Sequence, residues 1–182
     1  MSEYGRRLSE WAGNLRADVE ATWTLVQDER LMQPGRRYLA TALSYILTQL
    51  DLIPDHEKAG AVDDALVIRV AFGLAAEHAA KLDTKGASEF ARLTNDEEVA
   101  REFLGEQLFA RLRRYVLDFA DKPVRGRTAD QIVSDPKARA DVRRELDQAL
   151  KKIKDPMTVD DATAKQLEVT VKSYLEMKLA KL

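Results

Sequence analysis

Cysteine is absent from the 182-residue sequence. The chain therefore has no disulfide bond, no thiolate nucleophile and no zinc site of the cysteine type. Structural disulfides are typical of secreted proteins, so a sequence without cysteine fits a protein of the cytoplasm. We expect a cytoplasmic location on this ground.

A long uninterrupted hydrophobic run is missing as well. The longest apolar stretch, residues 61–76, contains Asp63, Asp64 and Arg69. It falls short of the roughly 18 clean apolar residues that a membrane-spanning helix needs. The first residues, MSEYGRRLSEW, lack an apolar signal core. The sequence therefore predicts a soluble protein.

Neither sign of charge is in excess. The chain has 29 Lys and Arg residues against 31 Asp and Glu residues, which gives a net charge of −2. This balance offers no electrostatic case for a protein dedicated to binding nucleic acid. Five arginines cluster late in the chain, and we expect them to form a solvated face paired with nearby acidic residues. They are Arg111, Arg113, Arg114, Arg125 and Arg127.

Signals for β-strands are scarce, because there is no convincing alternating run and no Asn-Gly or Asp-Gly hairpin turn. Apolar residues recur instead every three or four positions, which is the spacing of an amphipathic helix. We predict an all-α protein that forms a single bundle of about six or seven helices. Buried helices are expected around residues 36–50 and 62–82, and the first half of the second is apolar on nearly every side.

A connector at residues 83–94 is a weak candidate for a domain boundary. It would separate a helical core at residues 1–85 from a helical C-terminal extension at residues 86–182. One domain is the default for a chain of this length. We therefore expect the extension to pack in the same domain as the core.

Capping residues predict where the helices of the extension begin. Apolar residues carry one helix from about residue 95 to about residue 120. Thr128 and Gln131 have the spacing of a capping box. Asp135 precedes Pro136, so an N-cap is followed by proline at the first helical position. Thr158 is expected to cap the last helix.

Residues 48–65, with the sequence TQLDLIPDHEKAGAVDDA, place four acidic side chains between two apolar helices. They are Asp51, Asp55, Asp63 and Asp64, and burying carboxylates without partners is costly. One hypothesis is a structural clasp, in which these carboxylates bind free N–H groups of the turn and of the following helix. The other is a site for Mg²⁺ or Ca²⁺, which prefer clustered carboxylate oxygens.

The turn between the two helices is stiff, because Pro54 fixes its own φ and restricts Ile53 to an extended conformation. Leu52 and Ile53 are apolar residues within an acidic segment. We expect at least one of them to fill the gap between the second and third helices.

The same stretch resembles the YkvA-like domain-of-unknown-function family, numbered twelve thirty-two, over roughly residues 38–76. The family has an apolar helix, the motif Ser-Pro-Ile-Asp-Leu-Ile-Pro-Asp, a loop with glycine, and Leu-Asp-Asp at the start of a second apolar helix. The matching residues are Asp51, Leu52, Ile53, Pro54, Asp55, Gly60, Asp63 and Asp64.

The resemblance implies no particular reaction. Members of the family are often described as membrane-associated. Here Thr48-Gln49 replaces Ser-Pro, and the loop at residues 56–59 is polar where the family's loop is usually apolar. Membrane contact is therefore doubtful for this chain.

Motifs for catalysis are absent. The sequence has no Gly-x-Ser-x-Gly elbow and no glycine-rich phosphate-binding motif, and His56 and His78, its two histidines, complete no catalytic set. We expect a non-catalytic helical module, without a cofactor, that binds another protein or forms a homo-oligomer. A divalent-cation-binding or metal-dependent site at the acidic turn is the alternative.

Overall fold

A computed structural model of the chain describes residues 2–48, 51–55, 57, 59–79, 87–153 and 160–180. These residues form eight α-helices and no β-strand beyond one isolated bridge in a loop. The helices are α1 (Glu3–Val26), α2 (Gln33–Ile46), α3 (Gly60–Ala76), α4 (Ala87–Leu104), α5 (Glu106–Phe119), α6 (Ala129–Ser134), α7 (Pro136–Leu150) and α8 (Asp161–Leu179). The all-α prediction is confirmed, with slightly more helices than expected.

The helix predicted from about residue 95 to about residue 120 is in fact two helices, α4 and α5. The first of them already begins at Ala87, within the predicted connector at residues 83–94. Gly105 separates them with a φ of +77°, a left-handed conformation that glycine adopts without strain. No capping residue or proline marks this break in the sequence. A glycine within an apolar helical pattern is often tolerated, so the pattern predicted one continuous helix.

The structure settles the three predicted helix starts of the extension. Thr128 and Gln131 form a capping box at the start of α6. The Asp135 side chain accepts a hydrogen bond from the backbone of Lys137 at the start of α7. The prediction for the last helix was wrong: Asp160 is the N-cap of α8, and Thr158 lies outside the described residues.

α3 is the central helix of the bundle. Every residue from Val62 to Ala75 except Asp64 is buried, and α1, α2, α4 and α5 all pack against α3. The expected burial of the second and third helices is confirmed, although α2 ends at Ile46 and α3 ends at Ala76. Burial on all sides explains why α3 has no polar face in the sequence.

Helices from the predicted extension pack directly on helices of the predicted core. α4 lies against α3, α6 against α2, and α8 against α1 and α5. Among the described helices, none combines the length and the apolar character needed to cross a bilayer.

One arginine is fully buried where α1, α3 and α4 meet. The Arg69 guanidinium donates to Asp18 of α1 and Asp96 of α4, both at 3.1 Å, and to the carbonyl oxygen of Ala65 at 2.9 Å. It also stacks over the Trp11 ring, 4.3 Å from the centroid. Both Arg69 and Asp18 are 0% exposed. Besides their mutual contact, Arg69 pairs with Asp96, and Asp18 accepts a hydrogen bond from Arg92 at 2.6 Å, so the buried charges are neutralised as a group.

We predict that Arg69→Met destabilises the fold by about 3–5 kcal/mol, because it leaves the Asp18 carboxylate buried with less compensation. Urea unfolding followed by circular dichroism measures this loss. The double variant Arg69→Met with Asp18→Asn should recover part of it, since no buried charge is then orphaned. A loss below about 1 kcal/mol for the single variant would contradict the role given to this pair.

Candidate functional site

The acidic turn is held between α2 and α3 by hydrogen bonds that converge on Asp63. One carboxylate oxygen, Oδ2, accepts from the Tyr45 hydroxyl at 2.6 Å and from the backbone N–H of Ile53 at 3.1 Å. The Tyr45 hydroxyl in turn accepts from the backbone N–H of Leu52 at 2.8 Å. Two N–H groups of the turn are thus bound by side chains from the two helices that the turn connects.

The apolar residues of the turn fill the space beside this carboxylate. Leu52 is 3% exposed and Ile53 is 0% exposed, and both belong to the main hydrophobic core. The prediction that at least one would plug the gap is confirmed. Burying these residues also buries their backbone N–H groups, and a buried N–H without a hydrogen-bond partner is costly. The hydrogen bonds to Tyr45 and Asp63 avoid this cost.

The turn and the start of α3 approach each other closely at Gly60. A Cβ atom at this position would lie 2.8 Å from both the Cα of Asp55 and the carbonyl oxygen of Pro54. A side chain at Gly60 would therefore push the turn away from the helix. The spacing of the motif thus has a steric basis as well as a hydrogen-bonding one.

Asp63 binds the preceding turn rather than the N-terminus of its own helix. α3 begins at Gly60, and no side chain caps it. The second oxygen of Asp63, Oδ1, is buried and has no hydrogen-bond partner among the residues that the structure describes. The described geometry supports the clasp hypothesis for Asp63 in this specific form.

The other three acidic residues of this segment are more exposed than Asp63. Asp51 and Asp64 are partly exposed and Asp55 is exposed. Burial and the charge of Asp55 raise the pKa of Asp51 to about 6. Burial raises the pKa of Asp63 to about 7, against the lowering effect of its two hydrogen bonds. Burial, and then the charges of Asp63, Asp51 and Asp55, raise the pKa of Asp64 well above its usual value.

Comparison of the chain with protein-family models, with curated proteins and with solved structures gives no match.

No three histidine or acidic side chains lie together in an arrangement that could hold a metal ion within the described parts of the chain. All four of Asp51, Asp55, Asp63 and Asp64 are among the residues described. The charges of Asp51, Asp55 and Asp63 help to raise the pKa values of neighbouring carboxyl groups. The four side chains nevertheless do not form such a group. The cation site predicted from the sequence stays a prediction.

Two residues of α8, at the other end of the sequence, act on the turn, one by a hydrogen bond and one by its charge. The Tyr174 hydroxyl donates to Glu57 Oε1 at 2.9 Å, and the charge of Lys178 lowers the pKa of Asp51 against the effect of burial. Sequence reasoning missed these residues, because helical periodicity carries no information on which distant helix covers a turn.

Tyr45 was also missed as a partner of Asp63. A phenol at a buried position usually needs a hydrogen-bond partner. This requirement was the signal in the sequence that could have identified Tyr45 as a hydrogen-bonding residue. The histidines offer no comparable role: His56 lies outside the described residues, and the His78 ring stacks on Tyr38.

The late arginine cluster is largely ion-paired, as expected. Arg113 bonds Glu77 and Arg114 bonds Asp118. Arg125 and Arg127 both bond Glu145. These arginines are engaged by acidic residues of the same chain.

We predict that stability falls with rising pH at this site. The folded-state pKa values of Asp51, Asp63 and Asp64 lie above 3.8, the ordinary value, so the folded chain binds more protons than the unfolded chain as pH rises from about 4 to about 7. Asp64→Asn removes one of these groups. Urea unfolding should show that the variant gains stability over wild type as pH increases, with little difference near pH 4.

Asp118→Asn is the matched control, because it makes the same change at a surface ion pair on α5. The gain of Asp64→Asn over this control should be larger at about pH 8 than at about pH 4. A gain that does not change with pH would show that Asp64 does not titrate as described.

Proposed function

We propose that the chain is a non-catalytic helical module that self-associates through the outer face of α8. The observation that carries this proposal is that this face is free of charge along the whole helix. It consists of Ala162, Gln166, Val169, Ser173, Met177 and Ala180, all exposed and spaced by three or four residues. Val169 is 55% exposed and Met177 is 59% exposed, so two large apolar side chains lie in water.

The opposite face of α8 is the one that packs on the bundle. Leu167, Val171 and Leu175 are buried there, against α1 and α5. An outer helix face normally carries the charged residues, and 33% of this chain is charged. An uncharged outer stripe with exposed Val and Met is therefore better explained by a partner surface than by solvent.

A second copy of α8 fits this stripe in antiparallel orientation. Aligned about the middle of the helix, Met177 of one copy faces Ala162 of the other, so a long side chain meets a small one. Gln166 faces Ser173, and two polar uncharged groups are paired. Parallel alignment would instead place Met177 beside Met177 and Ala162 beside Ala162, which crowds one end and leaves a gap at the other.

Charges beside the stripe support the same orientation. Lys165 and Glu176 are exposed on the same flank, near opposite ends of the helix. In an antiparallel pair, Lys165 of each copy lies near Glu176 of the other, and opposite charges at such flanking positions favour one pairing orientation. Antiparallel packing also places the two helix dipoles in opposite directions.

The size of the contact predicts a weak dimer. α8 has 19 residues and is therefore about 28 Å long, and a single pair of helices buries less surface than a standard stable interface. We expect a dissociation constant of roughly micromolar or weaker.

The resemblance to the YkvA-like family and a cytoplasmic location form part of the proposal. The family is supported by the motif residues around the turn, and the location by the lack of cysteine. Neither the family nor the location implies a chemical reaction, so self-association remains the proposed function.

A cation-dependent role of the acidic turn is the second candidate. One observation favours it: within the described part of the chain, the buried Oδ1 of Asp63 has no hydrogen-bond partner. A bound Mg²⁺ or Ca²⁺ would supply the missing positive charge. If this candidate is correct, adding Mg²⁺ or Ca²⁺ should raise the free energy of unfolding.

We predict that Val169→Glu and Met177→Glu weaken self-association, because each buries a carboxylate in the proposed contact. Sedimentation velocity at protein concentrations from about 10 µM to about 1 mM covers the expected range. Wild type should shift towards dimer with concentration, whereas both variants should stay monomeric.

Ala140→Glu is the matched control, since Ala140 is exposed on the outer side of α7. It should dimerise like wild type, and all three variants should keep wild-type helicity because they lie on the surface. A wild type that is monomeric throughout, or a control that loses dimer as the α8 variants do, would refute the proposal.

The relative orientation of the two α8 helices can be tested with introduced cysteines, because the chain has no cysteine of its own. Under oxidising conditions, a mixture of Ala162→Cys and Met177→Cys should form a disulfide between the two variants. Each variant alone should form little. Efficient coupling within each single variant would instead indicate a parallel pair.

A further inference from the structure

A concave surface lies where α1 ends, α2 begins and α6 leads into α7. It is distinct from the α8 face and from the acidic turn. It encloses about 260 Å³ and is lined by Glu29, Gln33, Arg36, Val133, Ser134 and Arg139. We refer to these six residues as the arginine groove. The two arginines come from the first turns of α2 and α7.

Both guanidinium groups of the arginine groove converge on one carbonyl oxygen. Arg139 Nη1 donates to Val133 O at 3.2 Å, and Arg36 Nη2 donates to the same atom at 3.4 Å. Two positive groups are therefore held close together, and one neutral oxygen cannot balance them. Arg36 Nε is held separately by Val26 O at 2.7 Å, which fixes the position of that guanidinium.

Neither of these arginines forms an ion pair with a carboxylate of the described residues. The neighbouring arginines differ in this respect. Arg37 bonds Asp130 and Asp121, and Arg143, one turn after Arg139, bonds Glu20 and Asp147. The charge of Arg36 does reach Asp28 and helps to lower its pKa, but the Asp28 carboxylate is bonded to Arg30.

The Val133 carbonyl oxygen accepts from one N–H group of each arginine, and Val26 accepts from the Nε–H of Arg36. The remaining N–H groups of the two guanidinium groups are available to a ligand. A guanidinium carries five donors in a planar fork that suits oxyanions. Ser134 and Gln33 add neutral hydrogen-bonding groups at the wall of the groove. Glu29 is the one acidic residue that lines it, and Glu29 is exposed.

We propose that the arginine groove binds a small soluble oxyanion of the phosphate type, a free phosphate or a phosphate monoester. Arg139 and Arg36 supply the positive charge and the donors, and Ser134 and Gln33 complete the contact. This site is separate from the α8 face, so it holds or fails independently of self-association.

The test is a titration of isotope-labelled protein with inorganic phosphate, followed by amide chemical shifts, with sodium chloride holding the ionic strength constant. The amides of Gln33 and Ser134 should shift and saturate. Arg139→Gln should weaken binding by about tenfold or more, as expected for the loss of a charge-assisted hydrogen bond. Glu29→Gln should strengthen binding, because it removes the negative charge at the groove.

Arg111→Gln is the control, since Arg111 is exposed on α5 and the change in net charge is the same. It should bind phosphate like wild type. The proposal is overturned if Gln33 and Ser134 do not shift, or if Arg139→Gln and Arg111→Gln titrate alike. Binding to phosphatidic acid vesicles without any effect of inorganic phosphate would also overturn it, because the ligand would then be a lipid surface.

Discussion

The hydrogen bonds on the Asp63 carboxylate determine how the two central helices of this protein meet. Oδ2 of Asp63 binds Tyr45 on α2 and the backbone of Ile53 in the turn, while Asp63 itself belongs to α3. Because Ile53 is buried, this pairing also places an apolar plug between the helices. α3 is surrounded by four other helices, so its position relative to α2 constrains the whole bundle.

The acidic motif holds the turn to α2 and α3, and the proposed function lies at the surface of the bundle. Raised pKa values at Asp51, Asp63 and Asp64 show that the motif costs stability at neutral pH. Buried charges such as the Arg69 pair can favour one packing arrangement over others. By contrast, the outer face of α8 is exposed and uncharged, and no carboxylate among the described residues forms an ion pair with Arg36 or Arg139.

Local signals in the sequence predicted local structure well. The capping box at Thr128 and the proline after Asp135 depend on neighbouring residues, and both helix starts follow them. Long-range pairing was harder to predict. Arg69 looked like an interruption of an apolar run, because its partners Asp18 and Asp96 lie on other helices. The hydrogen bond from Tyr45 to Asp63 joins two helices in the same way. The exposed stripe of α8 can be recognised only once it is known which face of that helix packs on the bundle.

The most direct measurement is a double-mutant cycle of Tyr45→Phe and Asp63→Ala, with unfolding free energies measured in EDTA and again in Mg²⁺. The clasp predicts a coupling energy of about 1–3 kcal/mol, because the two residues share a buried hydrogen bond, and the same value in both solutions. Additive effects would contradict the clasp. So would a wild type that EDTA destabilises as much as Asp63→Ala does, since the carboxylate would then serve a cation.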